Sequence, residues 1–271
     1  MRTRSIVTVA AGALLAASLT GAAAARSRPA SSSAEGAEHT ITYRSIVDLS
    51  HVIDTDIPLW PGDPAVELTP VANFADDGYY LRSFTIGEHS GTHMNAPNSF
   101  HEGGASIDQY PAQSLVAPVV VIDAREQAAG DADYALTRDD VEAWERTNGP
   151  VPHGAVVVMF TGWEDRWGDP TAFFGEDADG GLHFPGFDGD TTRWLLDERN
   201  IAGVGIDTHG VDPGQDTDFR TTTAVLAGDG IALENLTNLD QLPPTGATIA
   251  IGILRLAGGS GSPVGVLAFV P

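Results

Sequence analysis

The chain has 271 residues, no cysteine and a formal charge of −23, from 37 acidic side chains against 14 basic ones. All fourteen basic residues are arginine, which excludes Schiff-base and lysine-nucleophile chemistry, and the lack of cysteine excludes disulfides and a lipidated cysteine anchor. Such acidity argues against nucleic acid and anionic membrane surfaces as partners and serves solubility rather than substrate choice.

Residues 1–25 read as a signal peptide. Arg2 and Arg4 make a basic start, residues 6–19 an apolar run too short for a comfortable span, and residues 22–25 a small-residue cleavage site. With no adjacent arginine pair, a Sec-type signal fits better than twin-arginine export. The expectation is a secreted or periplasmic protein, free of the membrane once the signal is removed. Residues 26–42, rich in Ser, Ala, Gly and Glu, read as a disordered leader. The roughly 230 residues of 43–271 are one domain's length.

Within that domain, residues 45–49 alternate like a strand, and 57–64 form a proline-punctuated loop carrying Trp60. Residues 79–86 alternate again and lead into a histidine-rich segment. Residues 118–123 and 155–161 are near-continuous β-branched runs, the pattern of strands buried on both faces. A helix lies between them. Thr137 caps it, Asp140 stands at the capping-box position, Leu136 staples against Val141, and Asn148-Gly149-Pro150 ends it. A second helix starts after Asp190 and presents Trp194 and Leu195 before Arg199-Asn200. Residues 202–206 make a short buried strand. Residues 245–256 and 264–270 are two closing strands around a Gly258-Gly259-Ser260-Gly261-Ser262 turn. That turn is no phosphate loop, because no lysine follows it and no helix opens from it. The class is α/β: one domain with a mixed β core and surrounding helices.

Residues 87–101 concentrate His89, His93 and His101 with Asn95 and Asn98. Four residues along a strand cover roughly 13 Å, too far for one ion with bonds of about 2 Å. A helix is disfavoured by Ser90, Gly91 and Pro97, so Gly91 is expected to bend the chain and bring His89 and His93 together. Spacing alone equally permits a polar loop with incidental histidines. Downstream, a strand runs into Asp207, His209 and Asp212, a common way for an α/β fold to deliver chemistry at a strand end. His209 is read as a ligand or a general base, or else as a loop histidine bonded to Asp212. His101 precedes Glu102-Gly103-Gly104, which suggests an exposed turn, and His153 and His183 read as surface or structural. Ser99 lacks the Gly-x-Ser-x-Gly setting of a serine hydrolase.

His89-x-Gly91-Thr92-His93 followed by Ala96-Pro97 resembles the H-x-G-T-H-x-D-x-P-x-H signature of the metal-dependent cyclase family, which includes bacterial kynurenine formamidase and isatin hydrolase. The resemblance continues through Ser106-Ile107-Asp108, Phe184-Pro185-Gly186, Gly205-Ile206-Asp207-Thr208, Glu234-Asn235-Leu236 and Gly261-Ser262-Pro263-Val264, and covers residues 43–271. It implies an exported hydrolase that acts on a small amide, lactam or lactone through metal-activated water, with a homodimer or homotetramer as the assembly. It also implies metal ligands at His89, His93 and Glu234. Three positions depart from the family pattern. Asn95 replaces an aspartate ligand, Thr222 a histidine ligand, and Ser99 the catalytic histidine. The expected metal set is therefore His89, His93, Asn95 and Glu234, holding zinc or manganese. Loss of a carboxylate and an imidazole shifts preference towards manganese. His209, Glu234 and Ser99 are the catalytic candidates, and Trp60, Asp207 and Asp212 the substrate-binding ones. Two other readings compete: a non-catalytic binding protein on the same scaffold, and a metal-free serine hydrolase using Ser99, His209 and an acid.

Overall fold

Apolar runs decide the centre of the fold. In the computed structural model, which describes residues 40–271, the expected signal peptide and the leader up to residue 39 lie outside the described residues. Twelve strands are present among the described residues: β1 (Ser45–Asp48), β2 (Glu67–Ala72), β3 (Leu81–Thr85), β4 (His93–Asn95), β5 (Val116–Asp123), β6 (Ala135–Leu136), β7 (Val156–Phe160), β8 (Gly186–Phe187), β9 (Gly203–Ile206), β10 (Ile231–Glu234), β11 (Ala247–Ile253) and β12 (Gly261–Val270). The α-helices are α1 (Phe74–Asp77), α2 (Arg125–Gly130), α3 (Arg138–Asn148), α4 (Pro170–Phe174), α5 (Gly189–Trp194) and α6 (Arg220–Leu226).

Eight strands form one sheet in the order β1-β12-β11-β5-β7-β9-β10-β4. Because β4 also pairs with the start of β12, the sheet closes on itself as a barrel. Its β5-β7-β9-β10 arc is parallel, and the other pairings are antiparallel. The β-branched runs divide between two apolar layers with a period of two. Val119, Val121, Val156 and Val158 face one cluster with Met94, Leu233 and Val266. Val120, Ile122, Val157 and Met159 face a second, which α3 and α6 cover through Val141 and Val225, with Leu195 just past the end of α5. This is the two-sided burial expected of these strands. Gly203 permits the tightest strand approach, since a Cβ there would lie 1.9 Å from the Ile231 carbonyl oxygen.

Helix α3 begins and ends where its sequence signals place it. The Thr137 side chain accepts from Asp140 N, Thr137 N donates to the Asp140 carboxylate at 2.9 Å, and Gly149 follows the last turn. Several boundaries move, two of them for a local reason. Helix α5 starts at Gly189 rather than after Asp190, because the Asp188 carboxylate reaches Thr191 N at 2.8 Å and caps it. It then continues as a π-helical turn, Leu195–Arg199. Strand β12 starts at Gly261 rather than residue 264, because its first three residues pair with β4. The alternation over 79–86 does give a strand, β3, but one exposed at every position, in a hairpin with β2 that stands apart from the barrel. Among the described residues, no helix is long and apolar enough to cross a membrane.

Candidate functional site

The barrel's closure brings the chemistry-bearing segments together. Strand β4 is wedged between β10 and β12, with His93 opposite Glu234 on one side and Pro263 on the other. Its period of two sends Met94 into the core and leaves His93 and Asn95 on the opposite face. Gly91 supplies the expected bend at φ +66°, and the His89 and His93 ring centroids lie 5.5 Å apart. Strand β9 then delivers His209, whose ring centroid is 5.3 Å from that of His93.

These residues meet around one carboxylate. His93 Nδ1 lies 2.9 Å from the Gly91 carbonyl, to which it donates, so its Nε2 turns to Glu234 Oε2 at 3.1 Å. His209 Nδ1 approaches the same oxygen at 3.8 Å, and His209 Nε2 is buried without a hydrogen-bond partner. One ligand atom from each of His93, His209 and Glu234 lies within 4.8 Å of the others, and all three residues are buried. Burial pushes the Glu234 carboxyl up, but the surrounding imidazoles of His93, His209 and His89 outweigh it and hold the group well below the usual carboxylate range. Burial, helped by His93, pushes His209 down to about 3, so it is neutral at working pH. A carboxylate with two imidazoles, one bearing an orphaned buried nitrogen, is a donor set that fits a divalent cation.

The other half of Glu234 leads outward. Asn95 Nδ2 donates to Glu234 Oε1 at 2.7 Å, because a carboxylate oxygen only accepts. Asn95 Oδ1 therefore accepts from His89 Nδ1 at 2.7 Å. His89 Nε2 lies 2.9 Å from Ser260 Oγ, which is also 2.7 Å from Glu88 Oε2. Burial and His93 lower the His89 pKa.

The structure thus regroups the expected ligands. His93 and Glu234 meet as anticipated, His209 joins them, and His89 and Asn95 are engaged with each other. His209 is not the loop histidine bonded to Asp212. Three other candidates have their polar atoms engaged by the fold. Asp207 is fully buried, off the pocket wall, and accepts from Thr161 N, Thr161 Oγ1 and Trp163 N, so it ties the ends of β7 and β9 instead of binding substrate. Asp212 reaches the wall, but its oxygens accept from Thr221 N at 2.5 Å, Thr222 N at 3.0 Å and Thr222 Oγ1 at 2.5 Å. It caps α6, whose own N-cap residue, Phe219, offers no side-chain cap. The same bonds engage the Thr222 hydroxyl with Asp212. Ser99 lines the pocket, yet its hydroxyl donates to the Ala96 carbonyl at 2.6 Å, the reverse of an activated nucleophile.

The pocket above this cluster measures about 660 Å³, within the usual range for a small-molecule site. Trp60 walls it as expected, with ring centroids 5.4 Å from His209, 6.0 Å from Phe174 and 6.4 Å from Phe184. Sequence reasoning missed Phe100, Phe219 and Ser260 on the pocket wall and Glu88 behind Ser260. Asp63, Asp212, Asp216 and Glu234 line the pocket, and among the described residues no arginine does.

Comparison with known proteins fits this geometry. A family model described as "Putative cyclase" matches residues 47–213. Isatin hydrolase of Roseibium aggregatum is 35% identical over 243 residues, covering 83% of this chain and 92% of that protein. Kynurenine formamidase of Salinibacter ruber is 26% identical, covering 81% and 95%. The structure of isatin hydrolase A from Ralstonia solanacearum superposes with a TM-score of 0.78 at 36% identity, over 84% of this chain and 92% of that one.

Proposed function

The chain belongs to the cyclase family, and on that premise we propose that it is a metal-dependent hydrolase that opens the C–N bond of a small, uncharged aromatic lactam or aryl amide. The observation that carries this reading is the buried His93, His209 and Glu234 group on the pocket wall, with an unpaired His209 nitrogen. Two imidazoles and a carboxylate suit zinc or manganese. When bound there, such an ion polarises a carbonyl and activates water at neutral pH.

The chain's own residues supply the rest. Asn95 fixes Glu234 by one oxygen and frees the other for the cluster. His89 keeps a proton at Nδ1 against Asn95 and presents Nε2 to Ser260 on the pocket wall. It is the imidazole left outside the ligand group to hand protons between substrate and solvent. Trp60 and Phe184 give apolar aromatic surface on the pocket wall against which an aromatic ring packs. The acidic lining without arginine favours an uncharged substrate and repels the carboxylate that amide hydrolysis releases.

The test is turnover of isatin and of a neutral N-formyl arylamide before and after chelation. Activity that falls on chelation and returns with zinc or manganese supports the reading. Undiminished turnover by chelated protein contradicts it.

A further inference from the structure

We propose that Phe100 and Phe219 form a second aromatic subsite at the mouth of the pocket, and that the substrate's aromatic ring carries a further flat, uncharged group that packs there. The proposal rests on the hydrolase reading above and names the shape of substrate that the site takes.

The pocket has two separate aromatic surfaces. Trp60 and Phe184 lie beside the ligand group, with the Trp60 ring centroid 5.4 Å from that of His209. Phe100 and Phe219 also line the pocket and meet each other at 5.3 Å and 58°. Among the described residues, no ring contact joins one pair to the other. Phe100 is 42% exposed, so its pair faces the opening. At about 30 Å³ for each water-sized group, a pocket of about 660 Å³ takes roughly twenty of them, about twice the non-hydrogen atoms of isatin or a formanilide. One bicyclic ring against Trp60 therefore leaves the Phe100 and Phe219 end unfilled.

Phe219 is placed at a cost. Its backbone is left-handed, at φ +50° and ψ +48°. The other non-glycine residues with positive φ among the described residues are Asn200, Asp229, Asn235 and Asn238. Asparagine and aspartate tolerate this region, whereas a ring-bearing residue there is an outlier. Such strain persists where the surroundings over-determine it, and it collects at ligand clamps. Here Phe219 N donates to the Asp216 carbonyl at 3.4 Å, and the Phe219 carbonyl accepts from Thr223 N at 2.8 Å. Asp212 holds the next two backbone amides but one, Thr221 N and Thr222 N, and Arg220 Nε donates to Asp216 at 3.0 Å. Phe100 is tied to the same helix, because His101 Nε2 donates to the Thr223 carbonyl at 3.0 Å. An asparagine would suit the Phe219 backbone better; what phenylalanine adds is a ring on the pocket wall.

The experiment is calorimetric titration of the full chain, loaded with zinc or manganese, with oxindole and with its four derivatives carrying a phenyl group on the benzo ring. Oxindole is a lactam without isatin's activating ketone, so binding is read apart from turnover. The best-bound derivative is expected to bind at least about 10-fold more tightly than oxindole. Phe219→Asn and Phe100→Ala should each cut that preference to about threefold or less, and Phe219→Asn should keep or raise the wild-type Tm. A chain that shows this preference yet hydrolyses no lactam would lose the hydrolase reading and keep the subsite. No preference in the wild type overturns the proposal. So do variants in which oxindole and its derivatives weaken by the same factor, the mark of a packing role alone.

Discussion

Asn95 stands between a carboxylate and an imidazole, and its amide suits both neighbours at once. It donates to Glu234 and accepts from His89, each at 2.7 Å. An aspartate there would set two buried carboxylates in contact, and one of them would take up a proton. Asn95→Ala, which removes both bonds and leaves the ligands in place, is expected to lower metal affinity or activity roughly 10- to 100-fold, the usual cost of losing a residue that orients a ligand. His89→Ala should spare the metal and lose turnover, whereas His209→Ala should lose both; titration with zinc or manganese alongside an activity assay separates them. A His89→Ala variant without metal would return that residue to the ligand set. The sequence makes part of this legible. His89, His93 and Glu234 stand in a recognisable pattern, and the Gly91 bend follows from residue type. The roles of Asp207 and Asp212 were not legible, because a carboxylate's partners are backbone N–H groups whose positions only the fold decides.

At the scale of elements, helix α6 shows a cap supplied from a distant loop. Asp212 bonds the α6 N-terminus, and burial raises its carboxyl to about 6 despite those bonds. A folded pKa above the unfolded value near 3.9 means that the group's contribution is fully present below about pH 4 and lost as pH rises through about 6. Denaturant unfolding of wild type and Asp212→Asn across that window should differ by a term that falls by on the order of 2–3 kcal/mol as pH rises, the contribution of this group. Asp212→Asn should remove that part of the slope. An identical slope in the variant would assign it to other groups. The regular elements were easier to read than this cap. Thr137, Asp140 and Gly149 are local signals with local consequences, and the β5 and β7 runs carry their burial in composition. The alternation of 79–86 also predicted a strand correctly. It could not say what covers the strand, because period two reports pleating and not the neighbour on either face.

For the whole molecule, a closed barrel sets a metal-type donor group beneath an aromatic pocket with an acidic lining and no arginine. The charge of that lining is expected to discriminate between substrates that share a scissile bond. A neutral lactam or aryl amide should show kcat/KM at least about 10-fold above that of its carboxylated analogue, and the gap should narrow as salt screens the acids. Equal rates at low salt would remove charge as a determinant. The account rests most heavily on His93, His209 and Glu234 acting together as ligands, and metal content per chain tests this directly. After incubation with zinc or manganese and removal of excess, the wild type is expected to retain one divalent ion per chain. His93→Ala and His209→Ala should retain none. A wild type that holds no ion, or a His209→Ala variant that holds one as tightly as the wild type, would contradict the account.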